Sequence, residues 1–251
     1  MKHQKIGVIV QARMGSTRLP GKILLELDKN EKILDVLIKR LKLSKLLNEI
    51  IIATTPDARN SAIIETVKQH NVSFFIGSED DVLERYFLAA KEFELNIIIR
   101  VTSDCPFVDP YIMDDMIEFY INNSYDYVKN FDEKTQYTRG FEIEIFNFKI
   151  LERIYSQAKS RPEREHVTYY LRTHYNLFKT FNFNAEYLNK IEGLRLTIDK
   201  KEDLLICREI YKKMKKKGKP SNFSLFDIYE LINEKPELMN INKHVQHKKI
   251  S

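Results

Sequence analysis

Apolar residues 6–10, Ile-Gly-Val-Ile-Val, form the first ordered signal in the chain, and such an unbroken run predicts a buried strand. Runs of the same kind return at residues 49–54, 72–76 and 96–102, with a shorter one at 125–129. Between them the apolar spacing changes. Ile33, Leu34, Leu37, Ile38 and Leu41 mark a helix over 33–43, and Ile63, Ile64 and Val67 another over 61–70. A third helix, over 80–93, has acidic residues near its start, and a fourth, over 110–122, opens with a proline. This alternation predicts right-handed crossover units on a mostly parallel sheet, whose ligands sit at the carboxyl ends of the strands. After residue 130 the pattern changes. Residues 141–146 alternate apolar and acidic, which predicts a half-buried strand. Helices are predicted at 151–158, 162–174, 201–217 and 222–234, and strands at 177–183 and 194–198. From Pro236 the periodicity is lost, which predicts a loosely held tail over 236–251.

Composition narrows the picture. With 251 residues, 43% hydrophobic and 31% charged, the chain can bury a sizeable core as one α/β domain. The net charge of +5 is spread along the length and does not mark a nucleic-acid surface. Its densest block, Lys212 to Lys219, holds six lysines in eight residues and reads as a solvated helix end or as a binding patch. Cys105 and Cys207 form no C-x-x-C, so neither a disulfide framework nor a zinc site is indicated. The first apolar run is too short for a signal peptide or a membrane span, so a soluble, cytoplasmic protein is expected.

The candidate chemistry begins where the first strand ends. Gln11, Ala12, Arg13, Met14, Gly15, Ser16, Thr17, Arg18, Leu19, Pro20, Gly21 and Lys22 form a loop with two glycines and three cations. Glycine lets backbone N–H groups approach an anion, and arginine and lysine supply charge and forked donors, so the loop suits a polyphosphate. A solvated basic turn is the plainer alternative. The P-loop pattern is not met, because Ile23 follows Lys22. The turns at 54–57 and 77–79, together with Asp104, fall on the same predicted rim. Asp104 and Asp199 each follow an apolar segment, which fits either divalent-cation ligands or caps on the next helix. On the other half, Arg139, Glu142 and Glu144 share one stretch, as do Glu165 and His166; each reads as acceptor contacts or as a solvated face. Arg85, Arg100 and Ser103 are weaker cleft candidates. The aromatic cluster at Phe107, Tyr111, Phe119, Tyr120, Tyr125 and Tyr127 reads as packing in preference to a stacking surface for single strands.

The run Q-A-R-x-G-S-x-R-L-P-G-K, filled here at every fixed position, resembles the nucleotide-binding signature of sugar nucleotidyltransferases. It is most similar to the cytidylyltransferases of the spore-coat polysaccharide biosynthesis type, which are related to the synthetases of CMP-activated 3-deoxy-manno-octulosonate and sialic acids. Ser103 departs from the glycine that many relatives carry. The resemblance implies a GT-A-like (Rossmann-like) α/β fold; the change of pattern divides this single domain into a nucleotide-binding half at about 1–130 and an acceptor-side half at about 131–235. It implies CTP as donor, bound by Gln11, Ala12, Arg13, Gly15, Ser16, Arg18, Lys22, Thr54, Arg100 and Ser103. Arg13, Lys22 and Asp104 would be catalytic, with Mg²⁺ on Asp104 and Asp199. Arg139, Glu142, Glu144, Glu165 and His166 would meet a sugar acid or another surface-polysaccharide precursor. His166 as general base stays open, and a homodimer is implied. A phosphorylated or phosphonate acceptor, a non-catalytic nucleotide-binding module and, third, a glycosyltransferase are the alternatives.

Overall fold

The computed structural model describes residues 4–16, 18–132, 137–184 and 191–245. Thr17 of the signature loop and residues 246–251 of the tail lie outside them. The strands are β1 (Ile6–Gln11), β2 (Glu26–Asp28), β3 (Glu31–Lys32), β4 (Glu49–Thr54), β5 (Ser73–Ile76), β6 (Ile97–Thr102), β7 (Tyr127–Lys129), β8 (Glu144–Asn147) and β9 (Thr180–Asn182). The helices are α1 (Ile33–Leu41), α2 (Ser61–Gln69), α3 (Val82–Glu92), α4 (Pro110–Asn122), α5 (Phe148–Gln157), α6 (Arg161–Glu165), α7 (Tyr169–Thr173), α8 (Lys201–Lys216) and α9 (Leu225–Glu234).

Seven strands form one sheet in the order β5-β4-β1-β6-β8-β7-β9. Parallel pairing joins β5, β4, β1 and β6, and β8 alone runs against its neighbours. Alternate side chains of β1 explain its unbroken apolar run: Val8 and Val10 enter the core under α1, α4, α8 and α9, and Ile9 enters the opposite core under α3 and α5. Both faces are covered, so no polar period is left to read. The mostly parallel α/β architecture expected from the sequence is the one observed.

Four expectations in the second half are corrected. Residues 141–146 are not half-buried: Phe141, Ile143, Ile145 and Phe146 are fully buried, and Glu144 is 1% exposed. The 194–198 segment forms no strand, only a single bridge between Arg139 and Arg195. Its N–H groups at Leu196 and Ile198 bond instead to the carbonyls of Arg139 and Asp104, which lie in loops. The helix over 162–174 breaks into α6 and α7, because Thr168 turns its hydroxyl onto buried Glu144. The tail is docked as far as residue 245: Leu238 and Val245 are buried, and Asn242 donates to the Arg195 carbonyl and to Asp203. The β2–β3 hairpin was not anticipated; its turn places Asn30 at a φ of 61°. The lysine block is a solvated face, where Lys215 pairs with Asp28 and Glu31, Lys217 with Glu234, and Lys219 with Asp227.

Candidate active site

The loop after β1 is held by its neighbours before it holds anything. Asn60 is almost fully buried and accepts the Met14 N–H at 2.9 Å, while its amide donates to the carbonyl and hydroxyl of Thr55. The Gly21 N–H returns to the Met14 carbonyl, with Gly21 in the left-handed region that glycine tolerates. The loop is therefore pinned at its middle and its end. Arg13 is exposed and pairs loosely with Glu79 at 3.3 Å. Arg18 reaches inward to Asp199 at 2.7 Å.

Lys22 turns into the sheet. Its ammonium lies 2.8 Å from Asp104 Oδ2, 3.0 Å from Asp199 Oδ1 and 2.6 Å from the Ile198 carbonyl. Burial opposes its charge, but the two aspartates outweigh burial and raise its pKa. Asp199 shows the mirror image: burial favours its neutral form, and Lys22, Arg18 and Arg195 together hold it below the usual carboxylate range. The helix-cap reading fails for both aspartates. Asp109 caps α4, and Asp203 takes the N–H groups of Asp199 and Lys200 at the start of α8. Two carboxylates thus converge on one ammonium-sized position. Among the described residues no three His, Cys, Asp or Glu side chains gather as a metal cage. A Mg²⁺ ion fits such a pair, because it takes one or two carboxylates and completes its shell with water and phosphate.

The opposite wall grows from β6 and β8. Arg100 and Glu144 are cross-strand partners, joined as an ion pair, and Arg100 also donates to Gln11 at 3.2 Å. The other Glu144 oxygen accepts from Tyr127 and Thr168. Burial disfavours the Glu144 charge, yet Arg100 and Arg172 outweigh it and lower its pKa. Glu142 takes the Gly140 N–H at 2.7 Å, and burial raises its carboxyl. His166 lies in the break between α6 and α7. Burial lowers its pKa, Glu165 opposes that shift, and Arg100 and Arg172 add to it.

One cleft of about 470 Å³ at the carboxyl ends of β1 and β6 collects most of the expected residues. Gln11, Ala12, Arg13, Gly15, Ser16, Arg18, Lys22, Arg100, Ser103, Asp104 and Asp199 line it, facing Arg139, Glu142, Glu165 and His166. Two expected residues do not line it. Thr54 is wholly buried, so the turn after β4 supports the loop from behind, and Glu144 lies beneath the wall. Glu79 instead lines a smaller cavity of about 400 Å³, with Arg13, Arg161 and Arg164. Sequence reasoning missed Phe131, Cys105, Thr197 and Arg172, which all line the main cleft. Cys105 was legible as the neighbour of Asp104; an arginine inside an amphipathic stretch, like Arg172, carries no such mark.

A profile of the cytidylyltransferase family matches residues 7–239. An uncharacterised protein of Methanocaldococcus jannaschii is 37% identical over 244 residues, covering 97% of each chain. The spore coat polysaccharide biosynthesis protein SpsF of Bacillus subtilis is 35% identical over 236 residues, covering 91% of this chain and 94% of that one. A solved cytidylyltransferase from Leptospira borgpetersenii superposes with a TM-score of 0.88 at 34% identity, over 99% of this chain and all of the other. In fold alone the chain also resembles a CMP-2-keto-3-deoxy-manno-octonic acid synthetase complexed with CTP, at a TM-score of 0.64 and 17% identity over 84% of this chain and 99% of that one. With its phosphate-suited loop and facing aspartates on a sheet of this topology, the chain belongs to the cytidylyltransferase family of nucleotidyltransferases.

Proposed function

We propose that this chain transfers CMP from CTP to an oxyanion-bearing acceptor, a sugar acid or related precursor of a surface polysaccharide, and releases pyrophosphate. The observation that carries the reading is the convergence of Arg13, Arg18, Lys22, Asp104 and Asp199 on one cleft. An acceptor oxygen attacks the α-phosphorus in line, the new O–P bond forms, and the bond to the bridging oxygen of pyrophosphate breaks. Mg²⁺ held by Asp104 and Asp199 would, when bound, neutralise charge on the α-phosphate. Arg13 and Arg18 grip the outer phosphates, and Lys22 leaves the aspartates to follow charge onto the leaving group. His166 is the side chain suited to take the acceptor proton, because the lowered pKa leaves its imidazole neutral at pH 7.

The reading includes a homodimer, supported by the family resemblance, and a cytoplasmic location; among the described residues no helix is long and apolar enough to cross a membrane. The test is pyrophosphate release with Mg²⁺, offering each of the four nucleoside triphosphates against a panel of sugar acids and phosphorylated acceptors. Acceptor-dependent release with CTP alone is expected, and Asp104→Asn and Asp199→Asn should each lower kcat by about 100-fold or more. Full turnover in those variants would overturn the metal assignment. A phosphorylated or phosphonate acceptor is the second reading, and the same panel separates it from the first.

A further inference from the structure

Arg172, on α7, lines the acceptor side of the cleft. Among the described residues its guanidinium makes no hydrogen bond and no ion pair, and it approaches the Tyr169 ring only distantly, at 5.9 Å. Its Nε is shielded from solvent and has no acceptor. The nearby acid does not serve it. One Glu144 oxygen is taken by Arg100, and the other by the hydroxyls of Tyr127 and Thr168. The Arg100–Glu144 pair therefore closes its own charge account, and Arg172 is the cation left over beside it. Three groups register that charge. Glu144 is held ionised partly by it, His166 is pushed towards neutrality partly by it, and the pKa of Lys129, lowered first by burial, is lowered further by it. A half-buried guanidinium without an acceptor is costly to keep, unless a ligand supplies one.

We propose that Arg172 selects the acceptor, gripping a carboxylate or a phosphate-type group on it with two guanidinium N–H donors. Planar forked donors match planar or tetrahedral oxyanions in a way that a lysine does not. Held this way in the cleft that Arg172 shares with the phosphate loop, the acceptor would turn its hydroxyl towards the α-phosphorus. The inference rests on the cytidylyltransferase reading and names the residue on which that reading's acceptor class depends.

The experiment uses ¹⁵N-labelled full-length protein saturated with CTP and Mg²⁺, without acceptor, so that the triphosphate subsites are filled and no turnover occurs. The Nε–H cross-peak of Arg172, identified by its loss in Arg172→Lys, is followed while acetate or methylphosphonate is added, with sodium chloride as the ionic-strength control. A saturable shift with acetate alone supports a carboxylate acceptor, and one with methylphosphonate alone supports a phosphate or phosphonate acceptor. No shift with either, or a shift matched by chloride, overturns the proposal. With an acceptor found in the release assay, Arg172→Met is expected to raise its KM by about 30-fold or more while Arg172→Lys recovers only part of the loss. Calorimetry of CTP on the same variants should give unchanged affinity, which shows that they are folded. An unchanged acceptor KM in Arg172→Met overturns the assignment. Failure of the wild-type protein to bind CTP would sink the cytidylyltransferase reading and is visible separately.

Discussion

His166 shows how much one residue's role depends on where a helix stops. Thr168 leaves the helical pattern to bond Glu144, and the resulting break brings His166 to the cleft wall. Its folded pKa lies below the ordinary 6.5, first through burial and then through Arg100 and Arg172. The unfolded chain therefore binds the proton more readily. This group costs nothing well above pH 6.5, and stability falls as the pH drops through that value towards the folded pKa. NMR titration of His166 is expected to give a midpoint below 6.5, and Arg172→Met should raise it by removing like charge. That Asp104 and Asp199 reach the cleft was legible in the sequence, because a carboxylate at the end of an apolar run has no packing role. Thr54 was misread for the opposite reason. It ends a strand as Asp104 nearly does, but that strand's end is covered by the turn that carries Asn60. Arg172 could not be read at all, because the residues that would have paired with it are spent on Arg100, and that is a fact of three dimensions.

At the scale of elements, the sheet strands and the helices of the first half were legible because each is apolar in its own period, whereas the short β2–β3 hairpin has no such period. The second half was less so. Residues 194–198 look like a strand and are as buried as one, but their hydrogen bonds go to loops at Arg139 and Asp104. This contact fixes both walls of the cleft at once, and Gly140 permits it. Gly140 has φ +108°, and a Cβ there would lie 2.6 Å from the Leu196 carbonyl carbon and 2.7 Å from the Thr197 nitrogen. These are backbone atoms, which cannot step aside as a side-chain tip can. Gly140→Ala is expected to destabilise the fold by about 3 kcal/mol or more, seen as a lower urea midpoint at unchanged slope. Wild-type stability in that variant would show that the 139–141 turn relaxes freely.

For the whole molecule, the parallel part of the sheet was predictable from strand–helix alternation, because crossover units dictate parallel neighbours, whereas the antiparallel β8 was not. The docked tail was not anticipated: Leu238, Asn242 and Val245 stand at helical spacing, but with a polar residue among only three positions they make too short an apolar stripe to read as a packed face. Asn242 satisfies buried groups of Arg195 and Asp203, and Arg195 in turn holds Asp199 at 2.6 Å. Truncation after Lys235 should therefore cost about 3 kcal/mol, or roughly 6–12 °C in Tm, and should weaken CTP binding through Asp199. Unchanged melting would place the tail outside the folding unit. The Arg100–Glu144 pair has a consequence at this scale too. It joins β6, the last of the four adjacent parallel strands, to β8, the one antiparallel strand of the sheet, in fixed register. In a recombinant that joins one parent's residues 1–130 to another's remainder, Arg100 and Glu144 come from different parents, and a parent lacking its member leaves the other charge buried and unpaired.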